Sequence, residues 1–219
     1  TCAVPSSQTK SSKRSSEHRM HPRNRNLERY QISVLVACLP ELGAYVQKSK
    51  RGEDTIDFAR PEAVKLLNRA IILSDYGLKY WDFPDENLCP PVPGRADYLH
   101  HMADVLRENH FGNIPRGEEV RVLDIGVGAT AIYPIIGAVE YGWSFVGSDI
   151  EQHSLDNVAA ILAENPKLQG HLELRHQADP SCMLRGVVAA SDRFAFTMSN
   201  PPFHTSAEDA AEGTMRKAR

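Results

Sequence analysis

"EEVRVLDIGVGATAIYPIIGAVEYGWSFVGSD", residues 118–149, contains the change of period that decides the fold. It opens on a short apolar run with the length of a buried strand, which stops at the carboxylate of Asp124. Gly126 and Gly128 follow, and then "ATAIYPIIGAVEYG", which reads as a helix. "WSFVGSD" repeats the first pattern and closes on a second carboxylate, Asp149. The alternation runs on: "EQHSLDNVAAILAENP" reads as a helix, "GHLELRHQ" as a strand and "RFAFTMSN" as another. Strands alternating with helices are joined by right-handed crossovers, which build a parallel sheet covered on both faces. From residue 117 to 219 the chain is therefore expected to be an α/β unit with a mostly parallel sheet and helices on both faces.

Upstream the pattern differs. Residues 27–116 are expected to be helical: "YQISVLVACLPELGAYV" is an apolar segment broken at Pro40, and "DFARPEAVKLLNRAIILSDYG" sets Pro61 near a helix start with Val64, Leu67, Ala70 and Ile71 at helical spacing. A rigid, Pro-rich "NLCPPVPGR" then leads into a helix whose apolar face is predicted to carry Tyr98, Met102, Val105 and Leu106. Residues 1–26 form a basic, Ser-rich arm. Seven Lys and Arg in residues 1–30 face only Glu17 and Glu28, within a chain of net charge −3. Such an arm buries too little apolar surface to fold alone, but it can neutralise nucleic-acid phosphates, for which Arg23, Arg25 and Arg29 are the candidates. Its other reading is a solubilising tail or, in part, an expression remnant.

At 219 residues and 42% apolar content, the composition suits one sizeable domain with an appendage. No run approaches the roughly 18 apolar residues of a membrane span, and no secretory apolar core opens the chain, so a soluble cytoplasmic protein is expected. Cys2, Cys38, Cys89 and Cys182 lie far apart without a C-x-x-C pair, which argues against a thiolate zinc site and a disulfide framework.

The chemistry concentrates at two turns. Gly126 and Gly128 let the backbone pass close to a ligand, and the helix behind them points its amide end at it. The spelling Gly126-x-Gly128-x-x-Ala131 also fits a dinucleotide turn, with Asp149 in the ribose-reading position. Asp124 tips the balance, because a carboxylate there repels a pyrophosphate and attracts the sulfonium or ammonium of S-adenosylmethionine. Its bland alternative is a cap on the turn. The second turn is "SNPPFH", residues 199–204, where two prolines end a strand at the carboxyl edge at which open α/β sheets bind ligands. The Asn200 side chain and the Pro201 carbonyl offer two acceptors for the two N–H groups of an exocyclic amine, freeing its lone pair to attack a methyl group. Phe203 offers a face on which a flipped-out base can stack.

"LDIGVGA", "GSD" and "NPPF", in this order, resemble the Rossmann-fold S-adenosylmethionine-dependent methyltransferases that modify planar amino groups. With "HPRNR", "CPPVPGRADYLHH", "DIGVGATAIYPIIG", "EYGW" and "NPPFH", the chain from His21 to about Ala210 resembles the bacterial 23S ribosomal RNA adenine-N6 methyltransferase family. The resemblance implies a Rossmann-like fold, S-adenosylmethionine as cofactor, and ribosomal RNA or a ribosome assembly intermediate as partner of a monomeric enzyme. It places Asp124, Gly126 and Gly128 on the cofactor, Asp149 on its ribose, and Asn200, Pro201 and Phe203 on the target adenine. Arg95 is assigned to the cofactor carboxylate or to an RNA phosphate, against the alternative of a surface salt bridge. Methyltransferases of this class add about three more strands after the fourth, so the C-terminal strands are expected to be missing here. "HTSAEDAAEGTMRKAR" then reads as a substrate loop with Arg216, Lys217 and Arg219 as phosphate contacts. A protein-glutamine methyltransferase would use the same proline stub, and an NAD-dependent oxidoreductase would share the glycine turn.

No metal is expected. His100, His101 and Asp104 lie close in sequence, but only one histidine can pair with Asp104 at helical spacing, so a helix surface with one buried histidine is the reading preferred. Trp81 and Trp143 are expected to pack in the core, and His204 to stand behind the site.

Overall fold

The computed structural model describes residues 20–28 and 30–201. Phe203, His204, Arg29, Arg216, Lys217 and Arg219, all named above, lie outside the described residues. The order begins with a short helix α1 (Ile32–Cys38), a 3-10 turn (Pro40–Tyr45), a small hairpin of β1 (Val46–Lys48) and β2 (Asp54–Ile56), and helices α2 (Pro61–Ser74) and α3 (Val92–Glu108). The alternating unit follows: β3 (Arg121–Ile125), α4 (Ile132–Tyr141), β4 (Ser144–Asp149), α5 (Gln152–Glu164), β5 (Leu172–His176) and β6 (Phe196–Ser199). Every strand and helix expected from 117 onward is present.

The four strands form one parallel sheet in the order β5-β4-β3-β6. The chain therefore steps from β3 to β4 to β5 and then returns to the other side of β3. This reversal puts a topological switch point at the carboxyl ends of β3 and β6, where such sheets take ligands. Alternation along β3 divides the core. Val122 faces the large cluster with Phe145 and the apolar sides of α4 and α5, whereas Leu123 and Val146 face Val187, with Val188 and Phe194 packed beside it. Among the described residues the helices thus cover one face, and loop 177–195 covers the other. Asp192 anchors that loop, accepting from Arg121 at 2.8 Å and from Arg175.

Helix α4 is apolar nearly all round, as a helix sandwiched between sheet and α3 must be. Ile132, Ile135 and Ile136 are buried, each contributing about 1.5–3 kcal/mol. Gly137 faces the Phe145 ring so closely that a Cβ would collide with it, which fixes the distance between α4 and β4. The apolar face of α3 differs from the sequence expectation. Tyr98 and Val105 are exposed, and the buried stripe is Val92, Ala96, Leu99, His100, Ala103 and Leu106. The small Ala96 and Ala103 lie on the face that packs inward, so bulk did not mark the buried side. Trp81 and Trp143 are both fully buried, their indole N–H groups donating to the carbonyls of Thr130 and Pro115 at 2.9 Å each. The hairpin β1-β2 stands within a region read as helical; its strands are three residues long and largely exposed, too short for a period to show.

Candidate active site

β3 ends at the glycine turn, which is hooked back onto β4: the amides of Gly126 and Val127 both donate to the Ser148 carbonyl, at 2.8 and 2.9 Å. Gly126 and Gly128 adopt φ +76° and +64°, and nothing lies within 4 Å of where a Cβ would stand on either, so the turn borders open space. Ala131 continues the turn in the left-handed region at φ 44° and leads into α4, whose first turn carries Tyr133. Asp149, at the end of β4, accepts from the Gly128 amide at 2.9 Å through Oδ2 and from the Glu151 amide at 3.0 Å through Oδ1. Each oxygen keeps capacity for a further donor.

Asp124 is only 1% exposed, and its Oδ2 has no hydrogen-bond partner among the described residues. A turn cap would have one, so the capping alternative does not account for this oxygen. Burial, followed by repulsion from Asp149, pushes the Asp124 carboxyl up to about 7. An orphaned, buried acid beside an open glycine turn is a site prepared for a cation, and the residues present fit the group that the sequence implied.

The stub after β6 reaches the same place. β6 pairs in parallel with β3, Ile125 opposite Ser199, and the Ser199 hydroxyl donates to the Ile125 carbonyl at 2.9 Å. Asn200 is thereby set beside the glycine turn. Its amide oxygen faces Arg95, because the reverse orientation would press an NH2 group against guanidinium donors; Nη1 and Nη2 then donate to it at 3.2 and 3.1 Å. Nη1 also donates to the Tyr133 hydroxyl at 3.1 Å, and the guanidinium carbon lies 5.7 Å from the Tyr133 ring centroid. Arg95 is therefore no surface salt bridge. Tyr133, with Tyr98 edge-on at 5.6 Å, was missed in the sequence. Its position in the first helical turn behind the glycines was the available signal.

The arm tells a different story from the one expected. His21 donates its amide to Asp97 at 2.5 Å, and its ring bonds Asp104 at 2.7 Å. Arg23 gives its fork to Asp104, the His100 carbonyl and the Tyr141 hydroxyl; Arg25 reaches Glu140 and the Asp75 carbonyl; Asn24 and Asn26 bond Pro93, Asp97 and Asp75. Residues 21–26 are a strap across α2, α3 and α4, and the Arg23 and Arg25 donors face protein. His21, His101 and Asp104 do gather ligand-type atoms within 4.8 Å. However, the Arg23 amide donates to His21 Nδ1 at 3.1 Å, which puts the ring proton on Nε2 and directs it to Asp104, leaving no lone pair there for a metal. His100 is the buried histidine, with Nδ1 on the Tyr141 hydroxyl at 2.6 Å. A surface groove of about 520 Å³ between the strap and α1 lies apart from the carboxyl edge and contains none of its residues. Among the described residues no helix is long and apolar enough to cross a membrane, and Cys38, Cys89 and Cys182 are free thiols.

A parallel sheet with a glycine turn, two carboxylates and an Asn-Pro stub at its switch point is the Rossmann-like arrangement expected from the sequence. Residues 14–219 match the model of the RNA methyltransferase family, and the chain belongs to it. Among curated relatives, ribosomal RNA large subunit methyltransferase F of Ectopseudomonas mendocina is 50% identical over 91% of this chain. The chain spans about 60% of that relative's length. Among solved structures, the N-terminal domain of human METTL16 in complex with SAH superposes with a TM-score of 0.72 at 28% identity, covering 91% of this chain and 76% of that one. The hMettl16 catalytic domain in complex with a MAT2A 3'UTR hairpin superposes with a TM-score of 0.70 at 28% identity, over 90% of this chain and 64% of that one.

Proposed function

We propose that this chain carries the cofactor and target-base sites of an S-adenosylmethionine-dependent methyltransferase acting on the N6 amino group of an adenine in 23S ribosomal RNA, free or in an assembly intermediate, as a cytoplasmic monomer. The observation that carries the reading is the register of β6 on β3, which sets Asn200 beside the glycine turn and the unpartnered Asp124. The cofactor, when bound, supplies an electrophilic methyl group on a sulfonium. Asp124 offers the opposite charge to its cationic part, Asp149 accepts from its ribose hydroxyls, and Gly126 and Gly128 leave room for its approach. Arg95 holds its carboxylate. The Asn200 oxygen and the Pro201 carbonyl accept the two N–H groups of the adenine amine, so that the nitrogen lone pair is localised and aimed. Phe203 stacks on the base, and Arg29, Arg216 and Lys217 are left to phosphate. The amine loses its proton after transfer, so no side chain is required as a base.

The test is to incubate the protein with labelled cofactor and unmodified total RNA and to map the labelled nucleoside. N6-methyladenosine in the large-subunit RNA is expected. Asn200→Ala should lower turnover on the order of 10²-fold, the cost of losing one aligned polar contact in the transition state, with cofactor affinity nearly intact. RNA affinity should fall steeply as salt rises. Label in protein glutamine amides would point to a protein-glutamine methyltransferase. Tight NAD binding without S-adenosylmethionine binding would point to an oxidoreductase.

A further inference from the structure

Both acceptor sites of the oxygen that is to receive the adenine amine are filled by the protein itself. A carbonyl oxygen carries two lone pairs, and Arg95 directs Nη1 and Nη2 at that of Asn200, at 3.2 and 3.1 Å. In this state Asn200 has nothing left with which to accept a base. The guanidinium is held there by two further contacts, the Tyr133 hydroxyl and ring, while its own Nε is buried without a partner among the described residues. A half-buried guanidinium whose Nε–H has no partner among the described residues, next to a helix start, is a group waiting for a carboxylate, which would take two parallel N–H bonds.

Resting on the methyltransferase reading, we infer that Arg95 is a latch on Asn200, and that the carboxylate of the cofactor's amino-acid tail draws the guanidinium away and frees the oxygen for the target amine. Binding is then ordered: the base site becomes competent only after the cofactor site is filled. Arg95 is a positioning residue in this scheme, acting on the base through Asn200. Tyr133 holds the guanidinium within reach of both partners, so that the exchange is a short swing.

The experiment uses the 219-residue chain labelled with 15N, following the Asn200 side-chain NH2 pair and the Arg95 Nε–H by NMR, with binding of each ligand verified by calorimetry. S-Adenosylhomocysteine should move both signals by more than a line width. Its decarboxylated analogue, S-adenosyl-3-thiopropylamine, keeps the nucleoside, thioether and ammonium, and should bind while leaving the Asn200 pair in place. In Arg95→Ala the pair should start at the released position and no longer respond to S-adenosylhomocysteine. Equal movement with both nucleosides, or none with a bound S-adenosylhomocysteine, would overturn the latch and leave the methyltransferase reading standing. Release by inorganic phosphate or a short oligoribonucleotide without cofactor would overturn it in favour of an RNA-opened site. If neither nucleoside binds, the methyltransferase reading itself fails and the latch with it.

Discussion

At the scale of the residue, Asp124 trades stability for function. Its carboxyl, pushed up to about 7, keeps its proton in the folded protein at pH values where the unfolded chain, with an ordinary aspartate near 4, has lost it. The folded state then binds more protons, so this residue's contribution is full below about pH 4 and is lost as pH rises towards 7. His100 works in the opposite direction. Burial lowers it to about 4, so the folded state binds fewer protons than the unfolded one between about 4 and 6.5, and stability rises with pH there. The two slopes offset one another in the wild-type protein, and only a difference measurement isolates Asp124. Asp124→Asn should raise the melting temperature relative to wild type at pH 8 and change it little at or below about pH 4. The same substitution should weaken S-adenosylmethionine binding at pH 8, where the negative charge is present to be lost. A melting-temperature difference independent of pH would mean that the carboxyl titrates normally.

At the scale of the element, the strap of residues 21–26 separates a structural from an RNA-binding use of the same arginines. Burial pushes the Asp104 carboxyl up, but hydrogen bonds from His21 and Arg23 outweigh it and hold it at about 2. Arg23→Ala leaves that carboxylate, the His100 carbonyl and the Tyr141 hydroxyl short of a donor, and should cost about 1.5–3 kcal/mol in urea unfolding while leaving the salt slope of RNA binding unchanged. A stable variant whose salt slope drops by about one would return Arg23 to the RNA. The arm's positive charge was legible in the sequence, but its partners were not, since Asp97, Asp104, Glu140 and Asp75 meet it only once α2, α3 and α4 are packed. The strands and helices after residue 117 were legible because each is an apolar run whose length matches one element. The buried side of α3 was misread for the converse reason, that alanines mark it and a tyrosine and a valine do not. Asp124 and the glycines share one βα turn and Asp149 ends the next strand, so local spelling announced them. Arg95 and Tyr133 join Asn200 through the parallel pairing of β6 on β3, which no local pattern encodes.

At the scale of the whole molecule, a buried carboxamide is one of the groups that join the helical region to the sheet. Asn165, 1% exposed after α5, accepts from the amides of Lys79 and Tyr80 at 2.7 and 3.4 Å and donates to the carbonyls of Tyr80 and Ile161, both at 2.7 Å. Around it Asn157 bridges the carbonyls of Asp82 and Ala129, and the Trp81 indole reaches the Thr130 carbonyl beside the glycine turn. The segment 79–82 has no strand or helix partner of its own, so these side chains satisfy backbone groups that burial would otherwise leave unpaired. Asn165→Ala should therefore cost about 2–4 kcal/mol, lowering the melting temperature by roughly 2–4 °C for each. The same contacts are expected to make residues 27–116 and 117–201 unfold as one cooperative unit. The two tryptophans allow a direct check, one on each side of the junction. In Trp143→Phe the remaining indole reports the helical region, and in Trp81→Phe it reports the sheet. In each variant the fluorescence transition is expected to coincide with the loss of far-ultraviolet circular dichroism. If fluorescence in Trp143→Phe is lost at lower denaturant than the circular dichroism, the helical region unfolds separately. The latch between Arg95, on α3, and Asn200, after β6, would then span two independently moving parts.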